Sequence, residues 1–265
     1  MFAKLQYLAS LLLIGCPLIW AGQPTLHVAA PQLRQPIPQQ ELHAQGQGTA
    51  VIFIGGFGDE ISGIIPHMLR YLPPLSKREC RAYYHWHAGC PQSVDDGATT
   101  LARHIEDYRR YNPAADVVII GHSMGASMAL RTAHLLRRED GRLFLITLDP
   151  ADRSYTPQRP PAVIWWGNAY VVNSQSNHDY IAQLGGRWNK CQGADNNIRF
   201  DGRDADEAGL LYIHDNAFSL MMSRGLGRHP SLNDLLKQQL RKEGQDSPED
   251  AKSTPKLPPR PINTR

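Results

Sequence analysis

The 265-residue sequence has few cysteines, little excess charge and no apolar run long enough to span a bilayer. Its four cysteines lack the paired spacing of a zinc finger. The formal net charge of +3 is too small to indicate a nucleic-acid partner, and the basic residues form no run before the C-terminal tail. Apolar residues make up 42% of the chain, which is enough for a core, and the length suits one domain with extensions.

The N-terminus has the pattern of a secretory signal peptide. A single lysine precedes the short apolar stretch Leu8–Ile14. We therefore expect residues 1–21 to be a signal peptide and the protein to be exported to the periplasm or envelope of a bacterium. In the alternative, the segment ending at Cys16 resembles a bacterial lipobox, cleavage falls before Cys16, and a lipid on Cys16 anchors the protein to the membrane.

The two ends of the chain differ in composition from its middle. Residues 22–47 are rich in Pro and Gln and predict an extended lead-in, with one edge strand near Leu26–Ala29. Residues 244–265 are charged and proline-rich and predict a disordered tail. Residues 48–243 are left as the folded α/β domain.

Export would place the remaining cysteines in an oxidising compartment, where two of them can pair. Cys80 and Cys90 flank one predicted strand and are the simplest pair, although Cys191 could replace either.

Between the two ends, apolar runs alternate with segments of helical periodicity. The predicted strands are Thr49–Ile54, Arg81–Trp86, Val117–Ile120, Leu143–Leu148, and a last strand over Ala162–Val172 with a bend at Gly167-Asn168. Helices are predicted over Ile61–Leu72, after Asp95-Asp96, and from Met124 to about Arg138. Residues 174–208 have no clear period and predict a long loop. This order predicts a compact, doubly wound, mostly parallel sheet without a large cap domain.

Gly121-His122-Ser123-Met124-Gly125 matches G-x-S-x-G and stands between a predicted strand and a predicted helix. Such a turn forces the serine into a strained conformation with its hydroxyl projecting from the strand end. These residues resemble the nucleophile elbow of the α/β-hydrolase superfamily, in its bacterial lipase and esterase branch. The resemblance implies the α/β-hydrolase fold, acyl-transfer chemistry and a triad in the order serine, acid, histidine, with no cofactor or metal.

Asp149 is the predicted acid of the triad because it is the first residue after a core strand, where it can reach the edge of the sheet. Thr147-Leu148-Asp149-Pro150 also resembles the acid turn of bacterial lipase-like hydrolases. Asp152 is the alternative, and Asp179 is a third candidate.

The histidine must follow the acid in the order that the resemblance implies, which leaves His178, His214 and His229. His214, followed by Ala217-Phe218 and two methionines, resembles the base loop of the same lipase-like group. His214 is therefore the predicted base, with His178 as the alternative.

The resemblance also places an oxyanion hole in the loop Gly55–Gly58 and at the residue after the serine. The backbone N–H groups of Phe57 and Met124 are the predicted donors, with Gly56 the next choice to Phe57. A separate pair, His85 and His87, could share a metal ion, but no third ligand is nearby in the sequence, so packing at a strand end is favoured.

Together, these patterns predict an exported serine hydrolase that cleaves carboxylic esters, such as a lipase, esterase or phospholipase-like enzyme acting on an acyl-ester or lipid substrate. The alternatives are a thioesterase or peptidase on the same fold, and a non-catalytic envelope lipoprotein with a vestigial hydrolase fold.

Overall fold

The structure is a computed structural model that describes residues 37–86, 93–174, 177–226 and 229–244. The predicted signal peptide, the lipobox cysteine and the edge strand near Leu26–Ala29 lie outside the described residues, as does the predicted C-terminal tail beyond Gly244. In the described part of the chain, no helix has both the length and the apolarity needed to cross a bilayer.

Six strands form one parallel sheet. They are β1 (Thr49–Phe57), β2 (Glu79–Trp86), β3 (Val117–His122), β4 (Leu143–Leu148), β5 (Val163–Val172) and β6 (Asn196–Asp201). Seven α-helices are described: α1 (Asp59–Ser62), α2 (Ile64–Tyr71), α3 (Ser93–Tyr111), α4 (Met124–Leu135), α5 (Asn177–Leu184), α6 (Ala217–Met222) and α7 (Leu232–Gly244). A short 3-10 turn covers Arg138–Asp140.

The central strands are apolar throughout because both faces of the sheet are covered. Alternate residues of β3 divide between two cores, with Val117 and Ile119 on one face and Val118 and Ile120 on the other. Helices α3 and α4 pack on the first face, and α2, α6 and α7 pack on the second. The predicted doubly wound parallel sheet without a large cap domain is therefore confirmed.

The strand order is β2-β1-β3-β4-β5-β6. β2 is added on one side of β1, and the later strands are added on the other side, so the topological switch point lies between β1 and β3. A crevice opens outside the carboxyl ends of the strands at such a switch point, and ligands of open α/β sheets bind there. Ser123 directly follows β3, and the Gly55–Gly58 loop includes the end of β1.

The C-terminal half of the domain differs from the sequence prediction. β5 continues through Gly167 and Asn168 without the predicted bend, because Asn168 is buried and hydrogen-bonds to Thr147 of β4. Residues 174–208 are not one long loop, because they contain α5 and the edge strand β6. β6 was not predicted because Ile198 and Phe200 are its only apolar residues. Both are buried, and the rest of the strand is polar.

Two smaller boundaries also differ. The predicted helix over Ile61–Leu72 is two helices, since Gly63 has a positive φ of 71° and separates α1 from α2. Helix α4 ends at Leu135 rather than near Arg138. Cys80 and Cys191 are free thiols in the described structure, and Cys90, the other half of the simplest predicted pair, lies outside the described residues.

Candidate active site

Ser123 lies at the tight turn between β3 and α4, in a conformation that few non-glycine residues adopt. Its φ is 55° and its ψ is −127°. A Cβ on Gly125 would lie 2.4 Å from the carbonyl oxygen of Ile54, and a Cβ on Gly121 would lie 2.6 Å from the carbonyl oxygen of Gly125. Gly125 therefore lets the start of α4 pack directly on the backbone of β1, and Gly121 leaves room at the end of β3 for the first turn of α4. The strained turn leaves the Ser123 hydroxyl at the carboxyl end of the sheet.

Three polar side chains form a hydrogen-bonded row at this edge. The Oγ of Ser123 lies 2.9 Å from Nε2 of His214, and Nδ1 of His214 lies 2.7 Å from Oδ2 of Asp149. All three residues are buried, with exposed fractions of 7%, 5% and 0% for Ser123, His214 and Asp149. A carboxylate only accepts hydrogen bonds, so Nδ1 carries the proton and Nε2 is free to accept one from the serine hydroxyl.

His214 belongs to the loop before α6 and is held through its own backbone. Its N–H donates to Oδ1 of Asp179 over 3.2 Å, and its carbonyl accepts from Nε2 of His122 over 2.8 Å. The rings of His122 and His214 also pack with their centroids 4.7 Å apart. The base-loop geometry thus depends on His122, the second residue of the serine motif.

His122 is held in the neutral state. Burial lowers its pKa to about 3, and the neighbouring His214 adds to the effect. Its Nε2 must carry the proton because it donates to a carbonyl, and Nδ1 has no hydrogen-bond partner among the described residues. A second proton on this ring would therefore be buried on a nitrogen with no hydrogen-bond acceptor among the described residues.

Asp149 follows β4 in a left-handed conformation, with a φ of 38°. Its Oδ1 accepts from the N–H of Val171 over 3.0 Å, and its Oδ2 lies 2.8 Å from the guanidinium of Arg187. Burial acts to raise the pKa of Asp149, but the hydrogen bond from His214 and the charges of His214 and Arg187 outweigh it and lower the pKa below its usual value. The carboxyl group is therefore ionised at neutral pH.

The end of β1 packs against Ser123 through Gly56. A Cβ on Gly56 would lie 2.6 Å from the Cβ of Ser123, so only glycine allows this approach. Phe57, one of the two predicted oxyanion donors, is 38% exposed at the end of β1. Met124, the other, is the first residue of α4, and N–H groups in a first helical turn have no acceptor within the helix.

The residues that the sequence offered as alternatives do not form this row. Asp152 accepts a hydrogen bond from Ser127 and pairs with Arg131, whereas the carboxylate bonded to His214 belongs to Asp149. His178 lies in the first turn of α5, whereas the imidazole bonded to Ser123 belongs to His214.

The third acid candidate, Asp179, lies in the site but contacts the backbone of His214 rather than its ring. Arg187 was not among the predicted site residues. Its only sequence signal was its place in the long 174–208 segment beside the predicted site.

The suggested histidine pair does not provide evidence of a metal site. His85 is buried at the end of β2 near Glu60, and His87 lies outside the described residues. The described residues contain no group of three or more His, Cys, Asp or Glu side chains that could hold a metal ion.

The fold and the site together define an α/β protein with a buried serine–histidine–aspartate row at the switch point of its parallel sheet. The sequence profile described as the Alpha/beta hydrolase family matches residues 51–248, and the chain belongs to this family. Family membership supports a hydrolase. No curated protein sequence matches the chain significantly.

Several solved structures resemble this one at low sequence identity. RedJ, solved with a polyethylene glycol molecule in its active site, is 12% identical, with a TM-score of 0.37 over 81% of this chain and 98% of RedJ. A protein proposed to be a cell surface hydrolase from Lactobacillus plantarum is 10% identical, with a TM-score of 0.42 over 74% of this chain and 97% of its own. Esterase PE8 is 12% identical, with a TM-score of 0.36 over 78% of this chain and 98% of the esterase.

Proposed function

We propose that the protein is an exported serine hydrolase that cleaves carboxylic esters through a covalent acyl-enzyme. The observation that carries the proposal is the continuous hydrogen-bonded row from Ser123 through His214 to Asp149, with distances of 2.9 and 2.7 Å. A serine hydroxyl is a weak nucleophile at neutral pH and needs a base at this distance, and the base needs an acceptor on its other nitrogen.

In this mechanism the Oγ of Ser123 attacks the ester carbonyl while Nε2 of His214 takes the hydroxyl proton. Asp149 keeps the imidazole in the required tautomer and stabilises its charged form. The N–H groups of Met124 and Phe57 donate hydrogen bonds to the oxyanion of the tetrahedral intermediate. His214 then returns the proton to the leaving alcohol, which departs and leaves an acyl group on Ser123. Water attacks next, with His214 again as the base, and the acid is released.

Exposed apolar residues in the two loops that carry Gly56 and His214 support an acyl or lipid substrate. Phe57, which follows the glycine packed on Ser123, is 38% exposed. Leu210 and Leu211, in the loop that leads into His214, are 56% and 51% exposed. Two adjacent exposed leucines a few residues before the base offer apolar surface that an acyl chain would bury. We infer that they contact the acyl part of the substrate.

The test of the serine mechanism is labelling of the purified protein with a fluorophosphonate probe, which reacts with activated serines. Wild type should be labelled, and Ser123→Ala should not. Ser127→Ala is the matched control, since Ser127 lies on the same helix but donates its hydroxyl to Asp152 instead. It should retain full labelling. Labelling that is absent from wild type, or that survives in Ser123→Ala, would sink the proposal.

The bond that is cleaved is tested with a panel of matched substrates. We expect p-nitrophenyl esters of increasing chain length and a phospholipid to be hydrolysed faster than a thioester or a peptide anilide of the same acyl group. A preference for the thioester or the anilide would instead identify a thioesterase or a peptidase.

Export is tested separately by expressing the full chain in a bacterium and measuring the mass of the mature protein. Cleavage after Ala21 gives a free N-terminus, and cleavage before Cys16 gives a lipid-modified mass. A cytoplasmic protein that retains Met1–Ala21 would contradict the export proposal.

A further inference from the structure

Arg187 and Asp179 form a buried ion pair directly behind the Asp149–His214 hydrogen bond. The Nη2 of Arg187 lies 2.8 Å from Oδ2 of Asp149, the same oxygen that accepts the Nδ1–H of His214. The same Nη2 also contacts Oδ1 of Asp179. The Arg187 and Asp179 side chains are only 9% and 1% exposed. One guanidinium nitrogen therefore joins the two carboxylates inside the protein.

The backbone around Arg187 fixes the position of this guanidinium. The N–H of Asp152 donates to the carbonyl of Gly186 over 3.1 Å, and the N–H of Trp188 donates to the carbonyl of Pro150 over 2.7 Å. These bonds pair the segment around Arg187 with the segment that follows Asp149. Gly186 has a φ of 82°, and a Cβ there would lie 2.7 Å from the backbone of Arg153. Two backbone hydrogen bonds therefore fix the position of Arg187. The turn before it requires glycine at position 186.

Asp179 connects the same ion pair to the base. Its Oδ1 accepts the backbone N–H of His214 over 3.2 Å, and its Oδ2 accepts the hydroxyl of Ser174. Both oxygens of the carboxylate are therefore used, and one of them touches Arg187 and the His214 backbone together. A change in the charge of Asp179 or Arg187 acts on the His214 loop as well as on Asp149.

The charges in this cluster balance only when His214 is protonated. With a neutral imidazole, two carboxylates face one guanidinium and the buried net charge is −1. The imidazolium that forms during catalysis brings the net charge to zero. Without Arg187 the two carboxylates would face no fixed cation, and buried carboxylates in that state take up a proton at higher pH.

We propose that Arg187 and Asp179 are positioning residues that act through Asp149 on His214. Arg187 holds Asp149 ionised and aimed at the imidazole, and Asp179 offsets part of the arginine charge so that proton transfer to His214 is not suppressed. The inference rests on the proposed serine hydrolase function and deepens the description of that site.

The charged and titratable groups that face Asp149 in the described part of the chain are His214, Arg187, Asp179 and His122. His122 is buried and neutral above a pH of about 3, so it does not change its charge in the range where the enzyme would be assayed. Protonation of His122 therefore does not contribute to the acid limb of the activity profile in this range.

The test is the pH dependence of kcat/KM for p-nitrophenyl acetate between pH 5 and 9. In Arg187→Gln we expect the acid limb to move to higher pH by roughly one unit or more, the effect of removing a cation within contact of a carboxylate. Below the midpoint of the limb, such a shift lowers kcat/KM about tenfold, mainly in kcat rather than KM. In Asp179→Asn, which removes a negative charge, the acid limb should move to lower pH. The double variant should lie near wild type because the two charges are removed together.

Two further variants separate electrostatics from folding. Arg187→Lys keeps the charge but not the planar fork, so its acid limb should stay closer to wild type than that of Arg187→Gln. Arg153→Gln removes an exposed arginine from the adjacent segment and should leave the profile unchanged.

The outcomes distinguish the inference from a purely structural role. If Arg187→Gln does not fold, the downward shift in Asp179→Asn still decides the question. Acid limbs that coincide in wild type, Asp179→Asn and every folded arginine variant, with losses confined to thermal stability, would overturn the inference. A wild-type protein without Ser123-dependent activity would contradict the proposed function instead.

Discussion

His122 makes the stability of this protein sensitive to mild acid, which His122→Gln is designed to reveal. The imidazole is buried, donates from Nε2 to the carbonyl of His214, and has a pKa of about 3 in the folded chain. Glutamine keeps an N–H donor of similar reach and cannot take up a proton in this range. The substitution therefore removes the titration and retains the hydrogen bond.

The size of the effect follows from the two pKa values of His122. The unfolded chain binds a proton at a pKa near 6.5, whereas the folded chain does not bind one until about pH 3. Between these values the unfolded state holds more protons, so the free energy of unfolding falls as the pH falls. One pKa unit corresponds to about 1.4 kcal/mol, so the loss from pH 7 to pH 5 is about 2 kcal/mol.

The measurement is urea unfolding followed by tryptophan fluorescence at pH 7 and pH 5, for wild type and His122→Gln. Wild type should lose about 2 kcal/mol more than the variant between these two conditions. Asp149, whose pKa is lowered in the folded state, contributes stability that is lost only below the ordinary carboxyl pKa and so does not affect this window. Equal losses in the two proteins would refute the conclusion that His122 is buried in its neutral form.

The other predictions concern catalysis and the serine turn. Asp149→Asn should lower kcat for p-nitrophenyl acetate by about 10⁴-fold, because an amide in place of the carboxylate favours the wrong tautomer of His214; a loss of less than tenfold would argue against the proposed role of Asp149. Gly125→Ala should lower the free energy of unfolding by about 1–3 kcal/mol, because its Cβ would meet the backbone of Ile54 at 2.4 Å. The control Gly97→Ala, in the α3 helix, meets only the flexible end of a methionine and should be neutral or stabilising by up to about 1 kcal/mol in the same urea experiment, so similar values for the two variants would contradict this packing argument.

The central strands could be predicted because a parallel sheet covered on both faces requires continuous apolar runs. β3 and β4 have such runs, and the structure places strands over Val117–His122 and Leu143–Leu148. β6 could not be predicted in this way. It is an edge strand in which Ile198 and Phe200 alone are apolar, and two apolar positions are too few to identify a strand by its periodicity.

In the candidate site, too, some residues could be predicted from local sequence and others could not. The sequence by itself favoured Ser123, because a strained turn with close backbone packing requires the local pattern Gly-x-Ser-x-Gly. It favoured Asp149 as the first residue past a core strand, with a family resemblance in support and Asp152 as the alternative. The choice of His214 over His178 came from a family resemblance. Only the tertiary structure brought His214 to Ser123, 91 residues away in the chain, and placed Arg187 against Asp149. Local spacing carries information about helices, strands and turns, but charges meet in a buried cluster only after distant segments have packed together.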